Sequence, residues 1–237
     1  MRPAPPPSTR PAALVYAALA LQVTAVTALA VFEWVRGGRL AREIAALGGD
    51  PRAPGAQALV GAVTTFAVLV ILVAAATAAA AAAYLFWLVR ARRWAGAPSG
   101  PAAPAGSRAP SAAPVLAGWL VPGLNLVAPP VLVDRLWRDS RPQVEHRGRW
   151  LALLTAWWLS CLATLALLLR LPLAPAHGTA DLTGIGLPEL AAVVVSALLC
   201  GLTVQRITRI QTESALRFRT AAGRFGPELP GLAYQGF

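Results

Sequence analysis

Apolar positions along the chain gather into four long runs separated by segments that contain most of the charged residues. The runs occupy residues 12–32, 57–89, 150–169 and 188–204. A helix crosses the hydrocarbon core of a bilayer, about 30 Å thick, with roughly 17–25 residues at about 1.5 Å per residue. The pattern therefore predicts an all-α integral membrane protein with four transmembrane helices.

A fifth apolar segment, residues 115–133, differs from the other four because it is broken internally. The interrupting residues are Pro122, Gly123, Asn125, Pro129 and Pro130. Each internal proline removes a backbone donor and clashes with the preceding turn, so a straight helix is disfavoured. The segment is either a re-entrant or interfacial helical element that enters and leaves on one side, or a kinked fifth span. Arginines on both sides of it favour re-entry.

These boundaries divide the chain into five predicted parts. The parts are a disordered tail (1–11), two helices with a short outer loop (12–96), a disordered Pro/Ala-rich linker (97–114), the re-entrant segment with two further helices (115–211), and a cytoplasmic tail (212–237). The first run also has features of a cleaved signal peptide, but it is longer than the usual apolar region of about 7–15 residues.

The distribution of arginine predicts the orientation, because positively charged loops stay in the cytoplasm. All 21 basic residues are arginines, and 16 of them lie in segments 1–11, 90–149 and 206–224. The two intervening loops carry the other five. We therefore expect a multi-pass protein of the cell (plasma) membrane with both termini in the cytoplasm.

Composition narrows the class of partner. Hydrophobic residues make up 57% of the chain and charged residues 13%, with a formal charge of +11. In a soluble protein such a charge would suggest nucleic-acid binding, but these arginines lie at the ends of apolar runs. We expect no nucleic acid. The predicted partners are membrane lipids, with a second copy or another membrane protein as alternatives.

Residues that carry chemistry are scarce. His146 and His177 fall in loops predicted on opposite sides of the membrane, so they cannot share a metal. Cys161 and Cys200 lie near the middle of the last two runs, where apolar packing is favoured over a disulfide. No common nucleotide-binding or hydrolase motif occurs. We therefore expect no catalytic residue, metal or cofactor, and no enzyme.

The predicted spans contain no Asp, Glu, Lys, Arg or His near their centres, which argues against proton-coupled transport. Their polar residues are a glutamine, serines and threonines, which are typical of close helix packing. Asn125 is the polar group that stands out, because in a re-entrant segment it would lie between Pro122 and Pro129. It would either satisfy the broken backbone or bind a small ligand or ion.

We assign two sets of candidate site residues. The polar site, with a structural or ligand-binding role, consists of Trp119, Pro122, Asn125 and Trp137. The predicted contacts to anionic lipid headgroups are Arg90, Arg92, Arg93, Arg135 and Arg138. Trp119, Trp137 and Trp150 are interpreted as anchors at the membrane interface, whereas Trp157 and Trp158 are expected to pack deeper against the re-entrant element.

Several strings resemble one known family. They are GWLVPGLNL (118–126), PP (129–130), DRLWR (134–138), FWLVRAR (86–92), WW (157–158) and RITRIQ (206–211). Together they are similar to the domain of unknown function 4328 family, multi-span membrane proteins common in actinobacteria. The resemblance covers residues 12–211 approximately and implies the fold, whereas the family has no assigned activity to carry over.

The sequence thus predicts a membrane component of uncharacterised role, non-enzymatic and either structural or accessory. Two alternatives remain. One is a carrier or channel subunit that uses the broken segment around Asn125. The other is a scaffold that recruits cytoplasmic proteins through its Pro-rich segments. Substrate, physiological process and oligomeric state do not follow from the sequence.

Overall fold

The computed structural model describes residues 9–48, 54–95, 113–121, 123–140, 147–170 and 185–224. Within these ranges every regular element is helical. The α-helices are α1 (Thr9–Phe32), α2 (Gly38–Ala46), α3 (Ala56–Ala95), α4 (Ala113–Leu120), α5 (Ala128–Asp139), α6 (Arg147–Arg170) and α7 (Leu187–Arg224). Within the described ranges, four helical stretches are long and apolar enough to cross a membrane, which confirms the predicted all-α fold class.

The first of these stretches does not end at Phe32, where the apolar run ends. A π-helical turn, Glu33–Gly37, joins α1 directly to α2 and makes one helical stretch, Thr9–Ala46. α2 packs on α3 and buries Leu40. Gly37 is required in the turn, because a Cβ there would lie 2.9 Å from Cγ of Glu33.

The long helices form an antiparallel bundle whose register is fixed by contacts at matching heights. Between α1 and α3, the amide of Gln22 donates to the hydroxyl of Thr77 over 3.3 Å, and the Phe32 and Phe66 rings lie 6.2 Å apart. The sum of residue numbers stays nearly constant along these pairs, so the two helices run in opposite directions.

Helix α7 packs against both α1 and α6 in the same antiparallel manner. The ring of Tyr16 lies 3.7 Å from the position a Cβ on Gly201 would take, and the hydroxyls of Thr164 and Ser196 are 3.0 Å apart. The beginning of α1, the end of α3, the beginning of α6 and the second half of α7 therefore meet at one end of the bundle. We call this the hairpin end, because α4 and α5 also pack there, and the opposite end the open end.

Helices α4 and α5 form a hairpin. Gly118 of α4 packs directly on α5, since a Cβ at this position would lie 2.8 Å from Cδ1 of Leu132 and 3.1 Å from Cβ of Ala128. In a continuous helix, residues 118 and 132 would be about 21 Å apart. The chain reverses through Gly123, with φ of 86°, and a 3-10 turn, Leu124–Leu126. The segment therefore folds back on itself and is not one continuous kinked helix; its re-entry into a membrane stays a prediction.

Buried side chains concentrate at the hairpin end. On α3 the buried residues all lie from Ala76 onward, and on α7 they all lie from Cys200 onward. On α6 the last buried residue is Trp157. At the open end, α1, α2 and the beginning of α3 pack together, while the facing parts of α6 and α7 contribute no buried side chain in the described part of the chain.

Two helices are longer than a bilayer requires. At about 1.5 Å per residue, α3 with its 40 residues spans about 60 Å, and α7 with 38 spans about 57 Å. α7 continues into the segment assigned to the C-terminal tail, and α1 begins within the segment assigned to the N-terminal tail. The rest of both tails, and the Pro/Ala linker apart from its last two residues, lie outside the described residues.

Candidate functional site

Five aromatic side chains from three helices form one cluster at the hairpin end. Tyr84 of α3 stands among the rings of Trp87, Trp119 and Trp157, with centroid distances of 5.6, 5.4 and 5.8 Å. Trp158 completes the cluster by meeting Trp119 edge to face at 6.2 Å. Aromatic pairs with this spacing and tilt attract one another beyond simple burial.

The aromatic cluster fixes the hairpin to α6. The indole nitrogen of Trp158 donates to the carbonyl oxygen of Leu126 over 3.0 Å, in the 3-10 turn of the hairpin. The Trp157 ring lies 6.4 Å from Trp119 of α4. The prediction that Trp157 and Trp158 pack on the re-entrant element is confirmed.

A second cluster surrounds the carboxylate of Asp134 on α5. Its Oδ2 accepts from Arg138 over 2.6 Å and from Arg147 over 3.5 Å, and its Oδ1 accepts from the indole nitrogen of Trp150 over 3.1 Å. The Trp150 ring stacks on Trp137 at 5.4 Å with 5° between the planes. We call these five residues the Asp134 cluster.

The Asp134 cluster joins α5 to the first turn of α6. The Arg147 guanidinium also lies over the Trp137 ring, 5.5 Å from its centroid, which is cation–π distance. The carboxylate is mostly buried, and its three donors come from both helices. A buried carboxylate is tolerated because it is paired and hydrogen-bonded in this way.

Gln211 connects three helices in a third arrangement, the Gln211 bridge. Its amide nitrogen donates to the carbonyl oxygen of Ala91 over 3.2 Å and to Oγ of Ser140 over 3.3 Å. Ser214, one turn further along α7, donates to the carbonyl oxygen of Ser140 over 3.3 Å. Gln211 is only 3% exposed, so these bonds replace water completely for its amide nitrogen.

The residues assigned to a polar site do not come together as one site. Trp119 belongs to the aromatic cluster and Trp137 to the Asp134 cluster. Asn125 lies half-buried in the 3-10 turn, where its backbone N–H donates to the carbonyl oxygen of Val121 over 3.1 Å. Its side-chain amide makes no hydrogen bond with any described residue, and Pro122 lies outside those residues.

The interpretation of Trp137 and Trp150 as interfacial anchors is wrong. Both are buried, because each ring covers one face of the other and the Trp150 nitrogen is bound to Asp134. Trp119 is half-buried within the protein. An anchor needs a ring that reaches the headgroups, and these rings are used for packing between helices.

The arginines assigned to headgroups fall into two groups. Arg90, Arg93 and Arg135 are exposed. The Arg138 guanidinium forms an ion pair with Asp134 within the protein. Nη1 of Arg92 is buried without a hydrogen-bond partner. Their contact with lipid stays a prediction.

Sulfur and acidic groups do not combine into a metal centre in the described part of the chain. Cys161 and Cys200 are both free thiols. The preference for packing over a disulfide agrees with this arrangement. The absence of catalytic residues stays a prediction.

Sequence reasoning missed three of the central residues. Tyr84 was hidden at the end of an alanine-rich run, although it is the single aromatic residue between Phe66 and Phe86. Asp134 is part of the DRLWR string, and its spacing of four residues to Arg138 was the available signal for an ion pair on one helix face. Gln211 closes another motif, but its partners are 120 and 71 residues away, and no local pattern indicates them.

Comparison with known proteins identifies one family. The family described as domain of unknown function (DUF4328) matches residues 50–211. The matched part contains α3 to α6 and α7 as far as Gln211, and therefore the hairpin and all three residue arrangements described above. No curated protein and no solved structure matches the chain.

Proposed function

We propose that this chain, which belongs to the DUF4328 family, is a multi-pass membrane protein that serves as a non-enzymatic structural or accessory component of the membrane. The observation that carries the proposal is the surface of α3. Its most apolar window of 18 residues has no side chain buried inside the protein. Exposure of such a surface to water is strongly unfavourable, whereas lipid acyl chains solvate it.

The apolar surface continues around the bundle at the open end. The exposed large apolar side chains there include Val60, Val63, Val68, Ile71, Leu72, Leu165, Val195 and Leu198. They come from three different helices, so the exposed surface is a belt and not a single patch. A belt is the arrangement expected for lipid on all sides.

Support for the proposed orientation comes from the chain segments that share one end of the bundle. The beginning of α1, the end of α3, the end of α5 and the beginning of α6 all lie at the hairpin end, as does the second half of α7. The sequence segments at these helix ends hold 16 of the 21 arginines. The positive-inside rule therefore supports a cytoplasmic hairpin end, with both termini inside.

The hairpin tip supports re-entry into the bilayer from that side. Val121, Leu124, Leu126 and Val127 are all exposed, although all are apolar. A tip of this kind is solvated by acyl chains. Asn125 stands on this tip beside exposed side chains, which favours a membrane-inserted element over a transport pathway through the bundle.

The exposed arginines at the hairpin end support contact with anionic headgroups. Arg90, Arg93 and Arg135 are each free to approach lipid phosphates, at about 1 kcal/mol per charge near the surface. Such contacts hold the protein at a fixed depth in the bilayer and require no further partner.

Cysteine labelling in intact cells tests the proposal. In a Cys161→Ser, Cys200→Ser background, single probes are placed by Ala46→Cys, Leu187→Cys and Asp139→Cys, with an impermeant maleimide. We expect the first two to react from outside and the third only after permeabilisation. Recovery of the protein in the soluble fraction, or labelling of all three from one side, would refute it.

The hairpin receives its own probe, Leu124→Cys in the same background. A cysteine on a tip surrounded by acyl chains does not react with maleimide added from either side of the membrane, because the reaction needs a hydrated thiolate. Ala113→Cys, at the start of α4, is the matched control and is expected to react after permeabilisation. Rapid labelling of Leu124→Cys from the cytoplasm would show a hydrated tip and contradict insertion.

A further inference from the structure

We propose that Tyr84 and Trp119 together bind the carbonyl oxygen of a neutral, membrane-dissolved molecule. Their rings are 5.4 Å apart and edge to face. Tyr84 is 5% exposed. The Tyr84 hydroxyl and the Trp119 indole nitrogen are both buried and have no hydrogen-bond partner in the protein.

A neighbouring indole shows that the fold supplies an acceptor elsewhere in the aromatic cluster. The indole nitrogen of Trp158 donates to the Leu126 carbonyl oxygen. An unpaired buried polar group costs about 1–3 kcal/mol, and such groups are rare in native proteins. Two of them on contacting rings, with centroids 5.4 Å apart, point to an acceptor atom that the chain itself does not provide.

The two donors define the chemistry of the acceptor. An indole N–H can only donate, and a phenol can donate as well, so both suit one oxygen with two lone pairs, such as a carbonyl. The rings around the pair, Trp87, Trp157 and Trp158, carry no charge. A phosphate or carboxylate would be desolvated there without a cation, whereas a neutral carbonyl would not.

The route to the pair runs over apolar surface. Trp119 is half-buried, and its neighbours Leu116 and Val121 on the hairpin are exposed. A ligand that arrives there travels in the acyl-chain region, so this step rests on the proposed membrane location. Two sources offer a carbonyl at that depth, the ring of a quinone and the ester linkage of a glycerolipid.

The test uses purified full-length protein in detergent. Decylubiquinone is titrated by calorimetry, and lipids that copurify are quantified by mass spectrometry. Tyr84→Phe removes only the hydroxyl, whereas Trp119→Phe removes the N–H donor together with the five-membered ring of the indole and keeps one aromatic ring. Tyr16→Phe, on α1 and outside the aromatic cluster, is the matched control. Thermal unfolding verifies that each variant is folded.

Saturable decylubiquinone binding that weakens about 5- to 10-fold in Tyr84→Phe and Trp119→Phe, with Tyr16→Phe unchanged, assigns the site to quinones. Loss of a copurifying glycerolipid in the same two variants assigns it to lipid esters. If neither ligand is found, or if both variants retain it fully, the proposal is overturned and the pair holds water. If Trp119→Phe unfolds, Tyr84→Phe alone decides.

Membrane fractionation is carried out first, so that the two proposals fail separately. Recovery in the soluble fraction contradicts the membrane location. Recovery in the membrane without ligand retention contradicts only the Tyr84–Trp119 site.

Discussion

The two ends of the bundle are built from the same few helices but are held together differently. At the hairpin end, α3, α6 and α7 pack with α4 and α5 through the aromatic cluster, the Asp134 cluster and the Gln211 bridge. At the open end, α6 and α7 are joined by the pair of hydroxyls on Thr164 and Ser196, and large apolar side chains such as Leu165, Val195 and Leu198 are exposed. The contrast shows which contacts create specificity in an apolar solvent.

Lipid offers no hydrophobic driving force between helices, because acyl chains are as apolar as the side chains they touch. Helix association then depends on packing and on polar bonds that lipid cannot replace. The hairpin end concentrates both, whereas α6 and α7 have little of either at the open end. We therefore expect the free energy of unfolding to depend on residues at the hairpin end and hardly on those at the open end.

The largest expected effect is that of Asp134→Ala. It leaves Arg138, Arg147 and the Trp150 nitrogen without their shared acceptor, so we expect a loss of about 2–4 kcal/mol in the free energy of unfolding. Denaturant unfolding in detergent measures the loss. The control, Asp139→Ala, removes an exposed carboxylate from the same helix. Equal effects of the two substitutions would contradict the role of the Asp134 cluster.

Gln211→Leu is expected to have the next largest effect. It removes the bonds to the Ala91 carbonyl and to Ser140 while keeping a similar volume, for a cost of about 1–2 kcal/mol. Gln205→Leu, at an exposed position on the same helix, is the matched control. If the control destabilises the protein as much as Gln211→Leu does, the bridge does not join α3, α5 and α7.

Gly118→Ala tests the packing of α4 on α5. The added methyl would meet Leu132 and Ala128 at less than ordinary contact distance, so we expect a cost of about 1 kcal/mol. Gly148→Ala places a methyl where no atom lies within 4 Å. A thermal shift in Gly118→Ala that is absent in Gly148→Ala supports the hairpin; the reverse order would exclude it.

The smallest effect is expected at the open end. Thr164→Val removes the bond to Ser196 without changing the shape, and such bonds between membrane helices are worth about 0.6 kcal/mol. Unfolding in detergent should therefore change little, and Ile71→Ala, on the exposed face of α3, should change it still less. A loss above about 2 kcal/mol in either variant would remove the distinction between the two ends.

Hydropathy was sufficient to predict the four long apolar helices and the broken segment, whereas the orientation inferred from charge stays a prediction. The Pro and Gly residues from 122 to 130 correctly indicated a reversal, because few other structures accommodate them within an apolar segment. The same approach failed for Trp137 and Trp150. A tryptophan near the end of an apolar run gives the same sequence pattern whether its ring faces headgroups or another indole. Only the packing of α5 against α6 buries this pair.

What the sequence determined by itself is how much of the chain is apolar over bilayer length, and where its positive charge lies. These properties depend on the composition of single segments and on the thickness of a membrane. Only the tertiary structure decided that Asp134 binds Trp150, that Gln211 reaches Ala91, and that Tyr84 and Trp119 stand together without an acceptor. Such contacts depend on which helix faces meet, and partners 16 to 120 residues apart leave no periodic signal in the chain.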